Sequence, residues 1–143
     1  MLLDNFYTLL SSESPDSIIW TIRVKLNPEH AIYQGHFPEH PVVPGVCLLQ
    51  LIKECAEDIR RHKLQYTQVS SCKFLSVVNP VNTPCLSVTL TLKDTEEGKL
   101  QLQAEGTVKA EGAVTTEGTT EAKETAENEC FIKLKAVLTS TKI

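Results

Sequence analysis

The chain has 143 residues, 41% of them hydrophobic and 22% charged, which is enough for one domain with a substantial core and crowded for two. A net charge of -4, with no basic run interleaved with aromatics, excludes a general nucleic-acid binder. No stretch approaches the roughly 18 apolar residues of a membrane span, and Met1 to Phe6 lacks the basic region and long apolar core of a secretory signal, so a soluble, cytoplasmic protein is expected.

The first apolar residues, Leu2, Leu3, Phe6, Leu9 and Leu10, recur at helical spacing and predict a short amphipathic helix over about 2–10, ended by a Ser-Ser-Glu-Ser-Pro run. From Trp20 the period changes to two. Ile22, Val24 and Leu26 then share one face while Thr21, Arg23 and Lys25 share the other, as in a half-buried strand. Asn27-Pro28-Glu29-His30 is a turn, and it leads into the most specific stretch of the chain, Tyr33 to Gln50.

In that stretch Pro38, Pro41 and Pro44 each fix φ and lack an N–H, so Glu39-His40 and Val42-Val43 follow a rigid, extended path. Such a loop can place a side chain, and His36 stands at its start. From Gly45 onward Val46-Cys47-Leu48-Leu49-Gln50-Leu51-Ile52 is apolar on every side but one, which predicts a buried helix continuing to about Arg61. Its first turn leaves backbone N–H groups unpaired at the positive end of the dipole, where Gly45 and its neighbours can hold a carbonyl oxygen or a developing oxyanion. The exception on the apolar surface is Gln50, whose burial is costly unless it is hydrogen-bonded.

The five cysteines, Cys47, Cys55, Cys72, Cys85 and Cys130, are odd in number and have no C-x-x-C spacing, so they read as reduced core residues. Cys47 lies where a helix N-terminus can lower a thiol pKa, but its neighbours are apolar and favour packing. His30, His36, His40 and His62 form no zinc-like arrangement with the cysteines, and neither a metal nor a cofactor is expected. By themselves His30 and His40 read as structural or solvated.

Past the basic run Arg60-Arg61-His62-Lys63, where cations complement the helix dipole, strands are predicted over about 68–78, 86–92, 100–104 and 130–138. Residues about 105–129 are rich in Glu, Thr, Ala and Gly and contain no aromatic. A weak alternation through Val108, Ala110, Gly112 and Val114 makes them a low-complexity extension of a hairpin with its tip near Glu117-Gly118-Thr119. One buried helix followed by a meander of strands is an α+β arrangement, with a sheet wrapped around the helix.

The run Gly35-His36-Phe37-Pro38-x-His40-Pro41-x-x-Pro44-Gly45-Val46 resembles the active-site motif of the 3-hydroxyacyl-[acyl carrier protein] dehydratases, which have the hotdog fold. The match is dense over the motif and extends more loosely from Ile18 to Ser140. The resemblance implies a single hotdog domain, an antiparallel sheet around one long central helix, acting as a hydro-lyase on 3-hydroxyacyl thioesters of acyl carrier protein in fatty acid or related lipid or polyene biosynthesis. It assigns His36 as the base at C2, the Gly45 N–H as the oxyanion donor, and position 50 as the group that handles the C3 hydroxyl. Phe37 and Val46 would contact the acyl chain, and two subunits would build each site, giving a homodimer or a higher oligomer.

Position 50 departs from the family pattern, because the expected carboxylate is Gln50. A carboxamide can hold a hydroxyl but cannot exchange the proton that general acid–base chemistry needs. The family commonly carries a glutamine four residues after its carboxylate. Here glutamine comes first and Glu54 second on the same helix face, so Glu54 is a candidate for the relocated acid. Two alternatives follow: a weakly active or non-catalytic acyl-carrier-binding subunit paired with an active homologue, and a thioesterase in which Gln50 positions a water. Acyl carrier proteins are acidic, so Arg60 to Lys63, or Arg23 and Lys25, form a candidate docking patch.

Overall fold

Runs of alternating apolar and polar residues build six antiparallel strands, and the apolar run after Pro44 builds the one α-helix among the described residues. The computed structural model describes residues 5–34, 42–81, 83–109 and 128–140. In chain order the elements are β1 (Tyr7–Glu13), β2 (Ile19–Leu26), a 3-10 turn (Ala31–Gln34), α1 (Gly45–Arg60), β3 (Leu64–Phe74), β4 (Cys85–Asp94), β5 (Leu100–Lys109) and β6 (Asn128–Ser140). The strands form a single sheet in the order β1-β2-β4-β5-β6-β3, every neighbouring pair antiparallel.

The period of two sends Ile22, Val24 and Leu26 of β2, Leu86, Val88, Leu90 and Leu92 of β4, Leu102 of β5, and Ile132, Leu134 and Leu138 of β6 into one core. Against them α1 places Cys47, Leu48, Leu51, Ile52, Cys55 and Ala56, an apolar stripe at the spacing of one helix face. The helix starts where Pro44 adopts φ -62 and ψ 146, an extended N-cap without a side-chain cap bond. It stops at Arg61, whose left-handed φ of 65 lets its N–H close on Glu57 O at 2.7 Å. Arg60 then reaches across to β4 and pairs with Asp94 at 3.1 Å.

One element differs from the sequence expectation. Residues 7–10 are not helical. They belong to β1, which pairs with β2 so that Tyr7 lies opposite Leu26 and Glu13 opposite Thr21. A register shift between Leu9 and Ser11 breaks the alternation, which is why a helical period fitted the apolar positions equally well. The ladder with β2 satisfies the backbone groups of this segment and overrides its local preference. Just ahead of the strand, Phe6 is buried, stacks on Tyr33 at 6.0 Å and meets the His30 ring edge-on at 5.3 Å. His30 is accordingly structural, and its Nδ1 accepts the Ile32 N–H at 3.0 Å.

The β5–β6 hairpin is the site of the expected low-complexity extension. The expected extension begins as paired strand, with Val108 opposite Glu129 and Lys109 opposite Asn128, while 110–127, including the expected tip, lies outside the described residues. Within the paired part, Gly106 faces Ile132 and Thr107 faces Cys130, leaving Phe131 as the extra residue of a bulge. Its ring lies over Gly106, where an added Cβ would come within 2.4 Å of it. Only glycine leaves room for that ring, which restores the apolar cover a glycine lacks.

All five cysteines are free. Burial raises the thiol pKa of Cys47 and pushes that of Cys55 up to about 12, the nearby Asp58 and Glu54 adding to the latter effect. Both thiols therefore stay protonated at neutral pH, and a maleimide at pH 7 is expected to label exposed Cys85 well before Cys47 and Cys55, as peptide mass mapping will show. Leu51→Ala, at a position 1% exposed, is expected to cost about 2–5 kcal/mol in a urea titration.

Candidate active site at the start of the helix

The first turn of α1 comes out of an extended segment tied down on one side by the Val43 N–H, which donates to Val78 O at 2.9 Å. The first amides to close on Pro44 O are those of Cys47 at 3.0 Å and Leu48 at 3.3 Å. The N–H groups of Gly45 and Val46 thus precede the first intrahelical bond, at the positive end of the dipole. Over Gly45 lies the ring of Phe74, from the end of β3, close enough that an added Cβ would meet it at 2.8 Å. Val46 stands beside it, 72% exposed.

Further along the helix, Gln50 and Glu54 come together as their i, i+4 spacing predicts. Gln50 Nε2 donates to Glu54 Oε2 at 2.9 Å. Glu54 is 2% exposed, the only polar or charged residue among the described ones that is fully in the core. Its other oxygen accepts from Tyr7 Oη at 3.1 Å, so a strand and a helix converge on one buried carboxylate. Burial, with Cys55 and Glu54 adding to it, raises the pKa of the Tyr7 phenol and keeps it a neutral donor. The network satisfies a group whose burial would otherwise be prohibitive.

Behind this network a cavity of about 540 Å³ opens between β1 and the C-terminal half of α1, lined among others by Tyr7, Leu9, Ile22, Glu54, Cys55 and Arg61. Glu54 therefore stands between Gln50 on one side and this cavity on the other. Cys47 is held among apolar neighbours and burial raises its pKa, which is the environment of a packing residue.

Of the residues singled out from the sequence, Gly45, Val46, Gln50 and Glu54 lie on α1, and Gln50 and Glu54 are in direct contact. His36 and Phe37, with His40, lie outside the described residues. Two neighbours were missed. Tyr7 was hidden by the helical reading of 2–10, and Phe74 carried no signal beyond its place in a strand. Among the described residues no group of three His, Cys, Asp or Glu stands together as a metal site, and no helix is long and apolar enough to cross a membrane.

A family profile, the ApeI-like family described as ApeI dehydratase, matches residues 11–117. The chain is 30% identical to a 3-hydroxyacyl-[acyl-carrier-protein] dehydratase FabZ of Lactobacillus helveticus, over 73% of this chain and 78% of that one. Among solved structures, a chain of the dehydratase heterocomplex ApeI:P from Xenorhabdus doucetiae superposes with a TM-score of 0.63, at 17% identity over 92% of this chain and 96% of that one. The dehydratase domain from the CurF module of curacin polyketide synthase superposes with a TM-score of 0.55, at 12% identity over 94% of this chain and 44% of that one. The six-stranded antiparallel sheet with its single helix is thus an α+β hotdog fold, and the chain belongs to the ApeI-like dehydratase family.

Proposed function

We propose that this chain binds 3-hydroxyacyl thioesters of acyl carrier protein at the start of α1 and eliminates water from them to give trans-2-enoyl thioesters. The observation that carries the reading is the pairing, on one helix, of two first-turn amides at Gly45 and Val46, which have no backbone partner among the described residues, with a polar side chain, Gln50, one and a half turns further along. The thioester carbonyl lies against those amides and is polarised as charge develops on its oxygen. That places the C3 hydroxyl beside Gln50.

His36 takes the C2 proton, the C2–C3 double bond forms, and the C3–O bond breaks. Gln50 has no proton to give the departing hydroxyl, so the proton now on His36 is the one that completes the water. Glu54 serves Gln50, holding its amide, rather than reaching the substrate; its 2% exposure supports that role. Phe37 and Val46 take the acyl chain.

The assembly we infer is at least a dimer. Among the described residues the outer edge of β3 has no partner strand, and Val69, Phe74, Leu75 and Val77 around it are 45–77% exposed. A second copy, or an active homologue, fits that edge. The second reading, a subunit that binds the acyl carrier but leaves the chemistry to its partner, is favoured by Gln50 standing where the family has a carboxylate.

Enoyl formation from a 3-hydroxyacyl-carrier thioester decides between them. The native protein is expected to turn over slowly, His36→Ala to lose about 10²-fold or more, and the double exchange Gln50→Glu with Glu54→Gln to gain about 10² to 10⁴-fold. An inert native protein that gains activity from the exchange establishes the partner subunit instead. If neither form turns over, alone or with an active homologue, the dehydratase reading is lost.

A further inference from the structure

We propose that Tyr7 is a positioning residue that makes position 50 a hydrogen-bond acceptor, so that the site selects a thioester with a hydroxyl on C3 over its 3-deoxy and 3-oxo counterparts. The inference deepens the reading above and rests on it. Glu54 accepts on both oxygens, from Tyr7 Oη at 3.1 Å and from Gln50 Nε2 at 2.9 Å. Gln50 therefore has one way round. Turned by 180°, its carbonyl oxygen would face a carboxylate oxygen, two acceptors with no proton between them.

With its NH2 group held inward, Gln50 turns Oε1 outward. The buried side-chain polar atoms without a partner among the described residues are Trp20 Nε1, Tyr33 Oη and Ser76 Oγ. Gln50 Oε1 is not among them, and no described residue donates to it, so it is an accessible acceptor. A C3 hydroxyl can donate to that oxygen. A C3 ketone brings lone pair against lone pair, and a bare methylene covers the acceptor without replacing its water.

The orientation depends on β1 as well as on the helix. Tyr7 holds one carboxylate oxygen, which leaves the other to face Gln50. Removing the hydroxyl lets the carboxylate turn and draw the amide with it, and position 50 then loses its fixed polarity. What is presented to the ligand at position 50 is an acceptor without an exchangeable proton.

The test uses amides of acyl-aminopantetheine, which neither hydrolyse nor eliminate, in saturated, 3-hydroxy and 3-oxo forms. Calorimetric titration of the native protein is expected to favour the 3-hydroxy form by about tenfold or more over both others, and Tyr7→Phe to bring the three within about threefold of one another. Glu54→Gln, nearly isosteric, is expected to do the same, which covers a failure of Tyr7→Phe to fold. In ¹⁵N spectra the Gln50 side-chain amide is expected to be shifted and protected in the native protein and to lose both properties in either variant, an effect that general destabilisation would not confine to one side chain. A preference that survives in both variants, or a Gln50 amide that does not respond, overturns the proposal. Equal binding of all three analogues by the native protein overturns it while leaving the thioester reading intact, and binding of none overturns both.

Discussion

The packing of α1 onto the apolar face of the sheet is the constraint from which the rest of the molecule follows. Leu48, Leu51, Ile52 and Ala56 are buried because the helix lies against the apolar face of the sheet, and that in turn carries Glu54, on the same side of the helix, into the core. Glu54 is tolerated at 2% exposure because donors arrive from two directions, one from its own helix and one from β1. Burial and chemistry are therefore linked. The face that anchors the fold also holds the polar groups of the candidate site.

The same linkage bears on the order of the two polar groups along the helix. A carboxylate and a carboxamide four residues apart on one helix make the same hydrogen bond in either order, so exchanging them leaves the core intact. What changes is the group offered outward. A carboxyl can accept or donate, whereas a carboxamide whose NH2 is committed inward offers only a carbonyl oxygen. In this chain the carboxyl is the inner half of the pair and the carboxamide the outer half.

Glycines mark two places where backbone and aromatic ring come too close for a Cβ. At Gly106 the bulge in β6 turns Phe131 onto the sheet, and at Gly45 the end of β3 lays Phe74 over the helix start. The first closes a gap in the core. The second puts a half-exposed ring beside amides that precede the first intrahelical bond, so the residue that frees the helix N-terminus is also the one that lets an aromatic approach it.

Local signals in the sequence determined the helix from Gly45, five of the six strands and the i, i+4 meeting of Gln50 with Glu54, because each depends on a short period or on the geometry of one element. The run from Gly35 to Val46 likewise resembled the motif of the family to which the chain belongs. Tertiary structure decided the remainder. Tyr7 to Leu10 became a strand because β2 offered a ladder, and a bulge had blurred the alternation that would have announced it. For the same reason the Tyr7 hydroxyl came to rest on Glu54, 47 residues away along the chain, a contact that no window of sequence contains. The side on which Gln50 presents its oxygen was decided by that contact: an amide has no preferred direction until the groups around it have been brought into place.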